Sequence, residues 1–76
     1  MADYDQKLGA KGLNCPLPIL RAKKSIAQMD AGQVLHIEAT DPGAVRDFEA
    51  FARQTRHQLQ ESREENGTSH FLIQKA

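Results

Sequence analysis

The sequence predicts an α/β fold: a two-layer sandwich in the order βαβαββ, with a four-stranded mixed sheet and both helices on one face. Three observations carry this reading. Two segments place apolar residues at helical spacing, and short segments between and around them alternate or run apolar as strands do. An Asn-Gly pair joins the last two as a hairpin. Helices and strands with one apolar face each are satisfied by packing in two layers.

Residues 4–8 (Tyr4 to Leu8) alternate apolar with polar and read as a half-buried strand. Gly9, Gly12 and Asn14 mark a loop that ends in Cys15-Pro16-Leu17-Pro18. Proline fits the first turn of a helix, whose N–H groups lack intrahelical partners, so a helix is expected over 16–29. Gly32 lies just past its end. At about 100° per residue, Ile19, Ala22, Ile26 and Met29 share one side, flanked by Leu20 and Ala27. Lys23 falls in the same arc and is expected to lay its stem there with its ammonium outward. Arg21, Lys24 and Gln28 cover the opposite side.

Residues 33–40 read as a strand, with Leu35, Ile37 and Ala39 on one face and Val34, His36 and Glu38 on the other. In Asp41-Pro42-Gly43 the aspartate is expected to cap a second helix and Pro42 to take its first position. Val45, Phe48, Phe51 and Ala52 form its apolar stripe, which ends near Thr55. Between His57 and Glu65 only Leu59 is apolar, so the third strand is expected to be exposed. Asn66-Gly67 favours a type I′ turn, and Phe71-Leu72-Ile73 forms the fourth strand. Right-handed crossover makes the first two strands parallel if they are neighbours. The strand order itself stays open.

Composition narrows the functional classes. The 76 residues carry ten Lys+Arg against ten Asp+Glu, a formal net charge of zero. That argues against a general nucleic-acid or membrane-surface binder. The first six residues are polar and acidic, with no apolar leader, and no apolar run approaches the ~20 residues that span a bilayer. A cytoplasmic location is the expectation. One cysteine, Cys15, excludes an internal disulfide, and with three scattered histidines it excludes a zinc finger or an iron–sulfur centre. No repeat or linker is visible, so residues 1–76 are expected to form one domain.

Cys15 is the candidate reactive residue. It sits in a Gly/Asn/Pro loop at a helix entrance, where free N–H groups and the helix dipole stabilise a thiolate. No acidic residue lies between Lys7 and Met29, whereas Lys7, Lys11, Arg21, Lys23 and Lys24 do. With Cys15 as N-cap, Pro16 and Pro18 donate no N–H, and Leu17 N–H is left as the best backbone donor. A moderately depressed thiol pKa follows. The two prolines stiffen the presentation of the sulfur, which suits a carrier better than a hydrolytic nucleophile.

Leu8-Gly9-Ala10-Lys11-Gly12-Leu13-Asn14-Cys15-Pro16-Leu17-Pro18 resembles the signature of the TusA/SirA sulfur-carrier family. The resemblance extends through Lys23-Lys24, Gly32, Asp41-Pro42 and Asp47 to the terminal hairpin. It implies a two-layer α/β sandwich whose cysteine, here Cys15, bears a persulfide. Sulfur would come from a cysteine desulfurase or rhodanese-type donor and pass to an acceptor protein, without independent turnover. Acceptor pathways in the family include tRNA thiolation, molybdenum-cofactor supply and sulfur oxidation. No cofactor, metal or direct nucleic-acid contact is expected, and a monomer suits a carrier that meets two partners in turn. Three positions depart from the family pattern: Gly9 where aspartate is common, Lys11 where arginine is frequent, and Arg56 in place of the glycine of Thr-Gly-His. Arg56 must either take a strained left-handed conformation or end the helix differently. The first two bear on which donor docks.

The alternative reading is a redox-regulatory thiol, which without a second cysteine must act through an intermolecular disulfide. A small RNA-binding module is a third, opposed by the neutral charge and the lack of exposed aromatics. His36, His57 and His70 are expected at the surface or on edge strands, with no helical HxxxH spacing for a metal. Asp47 and Glu49 are expected to be solvated or to face a partner, and Phe48 and Phe51 to lie in the core.

Overall fold

The computed structural model describes residues 4–76. The elements run β1 (Gln6–Ala10), α1 (Leu17–Ala27), β2 (Val34–Ala39), α2 (Ala44–Thr55), β3 (Gln58–Glu65) and β4 (Thr68–Gln74), the expected order. Of the six N-terminal residues read as lacking an apolar leader, residues 1–3 lie outside the described residues.

The sheet order is β1-β2-β4-β3. β1 runs parallel to β2, while β4 is antiparallel to both β2 and β3. The two interior strands carry the core: Leu35, Ile37, Ala39, Phe71 and Ile73 are fully buried. Ala22, Ile26 and Met29 of the first helical segment and Ala44, Phe48 and Phe51 of α2 pack against the same face. β3 is an edge strand, almost wholly exposed and rich in charge, which discourages pairing with another chain. A register shift between Leu59 and Glu61 breaks its ladder.

Several boundaries differ from expectation, each for a local reason. β1 is displaced two residues along the chain, its parallel ladder running from Gln6 opposite Leu35 through Gly9 to Ala10 opposite Ala39. Asp5 is instead tied to β2, accepting a hydrogen bond from Val34 N at 2.8 Å. Asp41 does not cap α2. Its carboxylate accepts from Gly43 N at 3.1 Å, a turn one step ahead of the helix, and Gly43 is the N-cap. The helix therefore buries Ala44, Phe48 and Phe51, and Val45 is left 38% exposed. Lys23 and Ala27 are likewise exposed.

Asn66 and Gly67 both have positive φ, as a type I′ turn requires. Arg56 ends α2 in the left-handed region, at φ 66° and ψ 5°. A side chain there costs about 1–2 kcal/mol, against about 0.5–1 kcal/mol of extra chain entropy that glycine must lose on folding. Because the Arg56 side chain is exposed, Arg56→Gly is expected to stabilise the fold by roughly 0.5–1 kcal/mol. Thermal melts should show the midpoint rising by several degrees. A lower midpoint would mean that the guanidinium makes a contact worth more than the strain.

Candidate functional site

The Cys15 loop is fastened at both ends. Gly12 N donates to Thr40 Oγ1 at 2.9 Å, which ties the loop to the end of β2. Leu13 N reaches Ala10 O at 3.3 Å, and Leu17 N reaches Asn14 O at 2.8 Å. Gly12 takes φ 80°, a conformation that glycine adopts without strain. The Cys15–Pro16 peptide is cis. Cys15 itself is free and exposed.

Two open clefts meet at the thiol. One is walled by Pro42, Gly43, Val45, Arg46 and Asp47 from the start of α2. The other runs between Ile19 and Lys23 of α1 and Asp47, Ala50 and Phe51 of α2. Asp47 stands in both. The expectation of a depressed thiol pKa fails here for two reasons. Pro16, not Cys15, is the N-cap, so the thiol sits one residue too early to cap α1. The Leu17 N–H that was to serve a thiolate is already given to Asn14.

The basic segment does not gather around the thiol. Of the five cations counted along the segment, only Lys23 lines a cleft with Cys15. Lys7 points to the other side of the sheet, 3.3 Å from Glu38. The Cys15 thiol is pushed above its ordinary value. Hydrogen bonding to Asp47 is the main cause, followed by partial desolvation and the negative charges of Asp47 and Asp41. The sequence leaves Asp47 either solvated or facing a partner, and gives no sign that it stands beside the thiol. The residue that sets the thiol comes from a different helix, and spacing along the chain carries no signal of it.

Asp47→Asn keeps the shape and removes the charge. The Cys15 pKa should fall, so more thiolate is present at neutral pH and alkylation by iodoacetamide should speed up severalfold. The midpoint of the pH–rate profile should move down. An unchanged profile would show that Asp47 does not control the thiol.

His36 and His70 depart from the expected surface or edge-strand positions, lying on the two interior strands. His36 lies on an interior strand and is only 8% exposed. Its Nε2 is 3.1 Å from Nδ1 of His70. His57 precedes β3; its Nδ1 accepts from Ala76 N at 3.0 Å and its ring leans on Phe51. Among the described residues no histidine lines the clefts at Cys15, so no Cys–His pair forms. The pairing of His36 with His70 is made across strands, where spacing along the chain does not show it.

No helix among the described residues is long and apolar enough to cross a membrane. The family model for the sulfurtransferase TusA matches residues 6–75. The chain is 66% identical over 76 residues to the sulfur carrier protein TusA of Allochromatium vinosum, covering the whole of both chains. It is 40% identical over 72 residues to the protein of the same name from Pseudomonas entomophila, covering 95% of this chain and 90% of that one. Among solved structures, a SirA-like protein from Desulfitobacterium hafniense superposes with a TM-score of 0.82 at 26% identity, covering 92% of this chain and 96% of the other. A βαβαββ sandwich with an exposed cysteine ahead of its first helix, matched by the family model over residues 6–75 and by one sulfur carrier over its whole length, places the chain in the TusA family of sulfur carriers.

Proposed function

We propose that Cys15 is the sulfur-bearing residue and carries a persulfide between two proteins. The observation that supports this most is an exposed cysteine on a loop pinned to β2, the only thiol in the chain. The donor is a cysteine desulfurase or rhodanese-type enzyme that itself holds a persulfide. The Cys15 thiolate attacks the outer sulfur of that persulfide. The donor's S–S bond breaks, its electron pair stays on the donor cysteine as thiolate, and Cys15 now ends in S–SH. The proton lost from the Cys15 thiol returns to the donor side, so no external oxidant or reductant is needed. A second attack, by the acceptor's thiolate, reverses the roles.

The raised thiol pKa fits this division of labour. With its pKa raised by Asp47, the resting thiol offers less thiolate than an ordinary cysteine and reacts slowly with small electrophiles until a docked donor brings its own environment. The same feature weighs against the redox-regulatory alternative, because peroxide-sensing cysteines are accessible thiols of low pKa. Val45, which walls one cleft at Cys15, is 38% exposed, and an apolar side chain there suits a docking partner. The sulfur would enter tRNA thiolation, cofactor sulfuration or sulfur oxidation, according to the acceptor. A cytoplasmic monomer acting as one domain completes the reading.

The test is intact-protein mass spectrometry after incubation with a cysteine desulfurase and cysteine, or with a rhodanese and thiosulfate. A gain of about 32 Da, removed by dithiothreitol, is the expected result. Failure of both donor classes to load the protein would overturn the reading.

A further inference from the structure

On the side of the sheet away from the helices, β2 and β4 bring three metal-ligating side chains together. Glu38 and His70 are directly opposed in the antiparallel register, and His36 lies two residues along the same face of β2. One ligand atom from each lies within 4.8 Å of the other two. His36 Nε2 is 3.1 Å from His70 Nδ1, which in turn is 3.7 Å from Glu38 Oε2. Two imidazole nitrogens bound to one tetrahedral zinc ion at 2.0–2.1 Å stand about 3.3 Å apart. The separation already present is close to that.

The surroundings orient these ligands. His70 Nε2 faces Glu65 Oε1 at 3.9 Å, which favours the proton on Nε2 and leaves Nδ1 its lone pair. Lys7 Nζ holds Glu38 Oε1 at 3.3 Å, which leaves Oε2 for a second cation. The Tyr4 ring lies 5.0 Å from that of His36 and shelters it. The His36, Glu38 and His70 side chains are mostly buried but not sealed, so water can supply a fourth ligand.

We propose that His36, Glu38 and His70 form a binding site for a first-row transition-metal dication of the Zn2+ type, on the face opposite Cys15. In the free protein a hydrogen bond between His36 Nε2 and His70 Nδ1, 3.1 Å apart, holds the two rings together. Zn2+ takes its place, and the His36 proton moves to Nδ1, so no proton need leave the protein. His36 Nδ1 is buried and finds no partner among the described residues. An outer-shell partner on a ligating imidazole is worth about 10–100-fold in affinity. Its absence on one of the two makes this a readily exchanging site rather than a permanent structural one.

The experiment is a Zn2+ titration of the Cys15→Ser protein by chelator competition, with the serine removing the thiol as a rival ligand. Expected are one ion per chain and chemical-shift changes at His36, Glu38 and His70. The isosteric Glu38→Gln, and His70→Ala on a half-buried position, should each weaken binding at least about tenfold. Circular dichroism shows whether each variant is folded, and sulfur loading of the same single variants with Cys15 intact should be unchanged. No binding at millimolar Zn2+, or binding that Glu38→Gln leaves intact, would overturn the proposal.

Discussion

Cys15→Ser is expected to abolish sulfur loading completely while leaving the fold in place. The two effects separate because the residue has one role and not the other. Its side chain is exposed, and the loop is held by backbone groups of Gly12, Leu13 and Leu17 rather than by the sulfur. A surface change of this kind moves stability by no more than about 0.5 kcal/mol. Serine differs from cysteine by one atom, yet its hydroxyl supplies no appreciable anion near neutral pH and cannot attack a persulfide. With no other thiol in the chain, nothing can take over. Mass spectrometry with either donor class should show the unmodified mass alone, beside a urea transition that matches the parent protein. A residual gain of one sulfur in the serine variant would mean that the cargo is bound elsewhere. A shifted urea midpoint would mean that the thiol takes part in the packing.

What the sequence shows and what it hides follow from distance along the chain. The βαβαββ order was legible because periodicity is local: Ala22, Ile26 and Met29 recur on one helical face, and Leu35, Ile37 and Ala39 on one strand face. All six are buried. The position of the candidate thiol was legible for the same reason, since Gly12, Pro16 and Pro18 shape its loop from within a few residues. Its electrostatics were not. The positive surroundings counted along 7–24 divide between the two sides of the sheet, and the acid beside the sulfur arrives from α2. His36 and His70 are 34 residues apart in sequence, and only the β2–β4 register makes them neighbours. Charge and ligand clusters are properties of tertiary contacts, and strand order was the one topological feature that the periodic pattern left open. Arg56 lies between these cases. Its local sequence announced a choice between strain and a different ending, and the chain took the strain.

Phe48→Ala is expected to bring the chain to the edge of unfolding. Phe48 is fully buried on α2, with its ring centroid 4.6 Å from that of Phe71 on β4 and 6.3 Å from that of Phe51. With Ala44 and Phe51 it ties the second helix to the interior of the sheet, and it is the most deeply buried of the three. Truncation removes a ring's worth of apolar burial and leaves a void that a small core cannot close, a loss of about 3–5 kcal/mol. At roughly 0.05–0.15 kcal/mol per residue, a chain of this length has only about 4–11 kcal/mol to lose. Urea denaturation should show the midpoint falling by a third or more of its parent value, with an unchanged slope if the transition stays two-state. Phe48→Leu keeps most of the volume and should cost roughly 1–2 kcal/mol. Leu20→Ala on the exposed side of α1 should cost under about 0.5 kcal/mol. This ordering distinguishes the apolar residues that hold the sandwich together from those that α1 leaves at the surface. If Phe48→Ala cost no more than Leu20→Ala, α2 would not be anchored through Phe48. The placement of Asp47, its neighbour in sequence, beside Cys15 would then lose its structural basis.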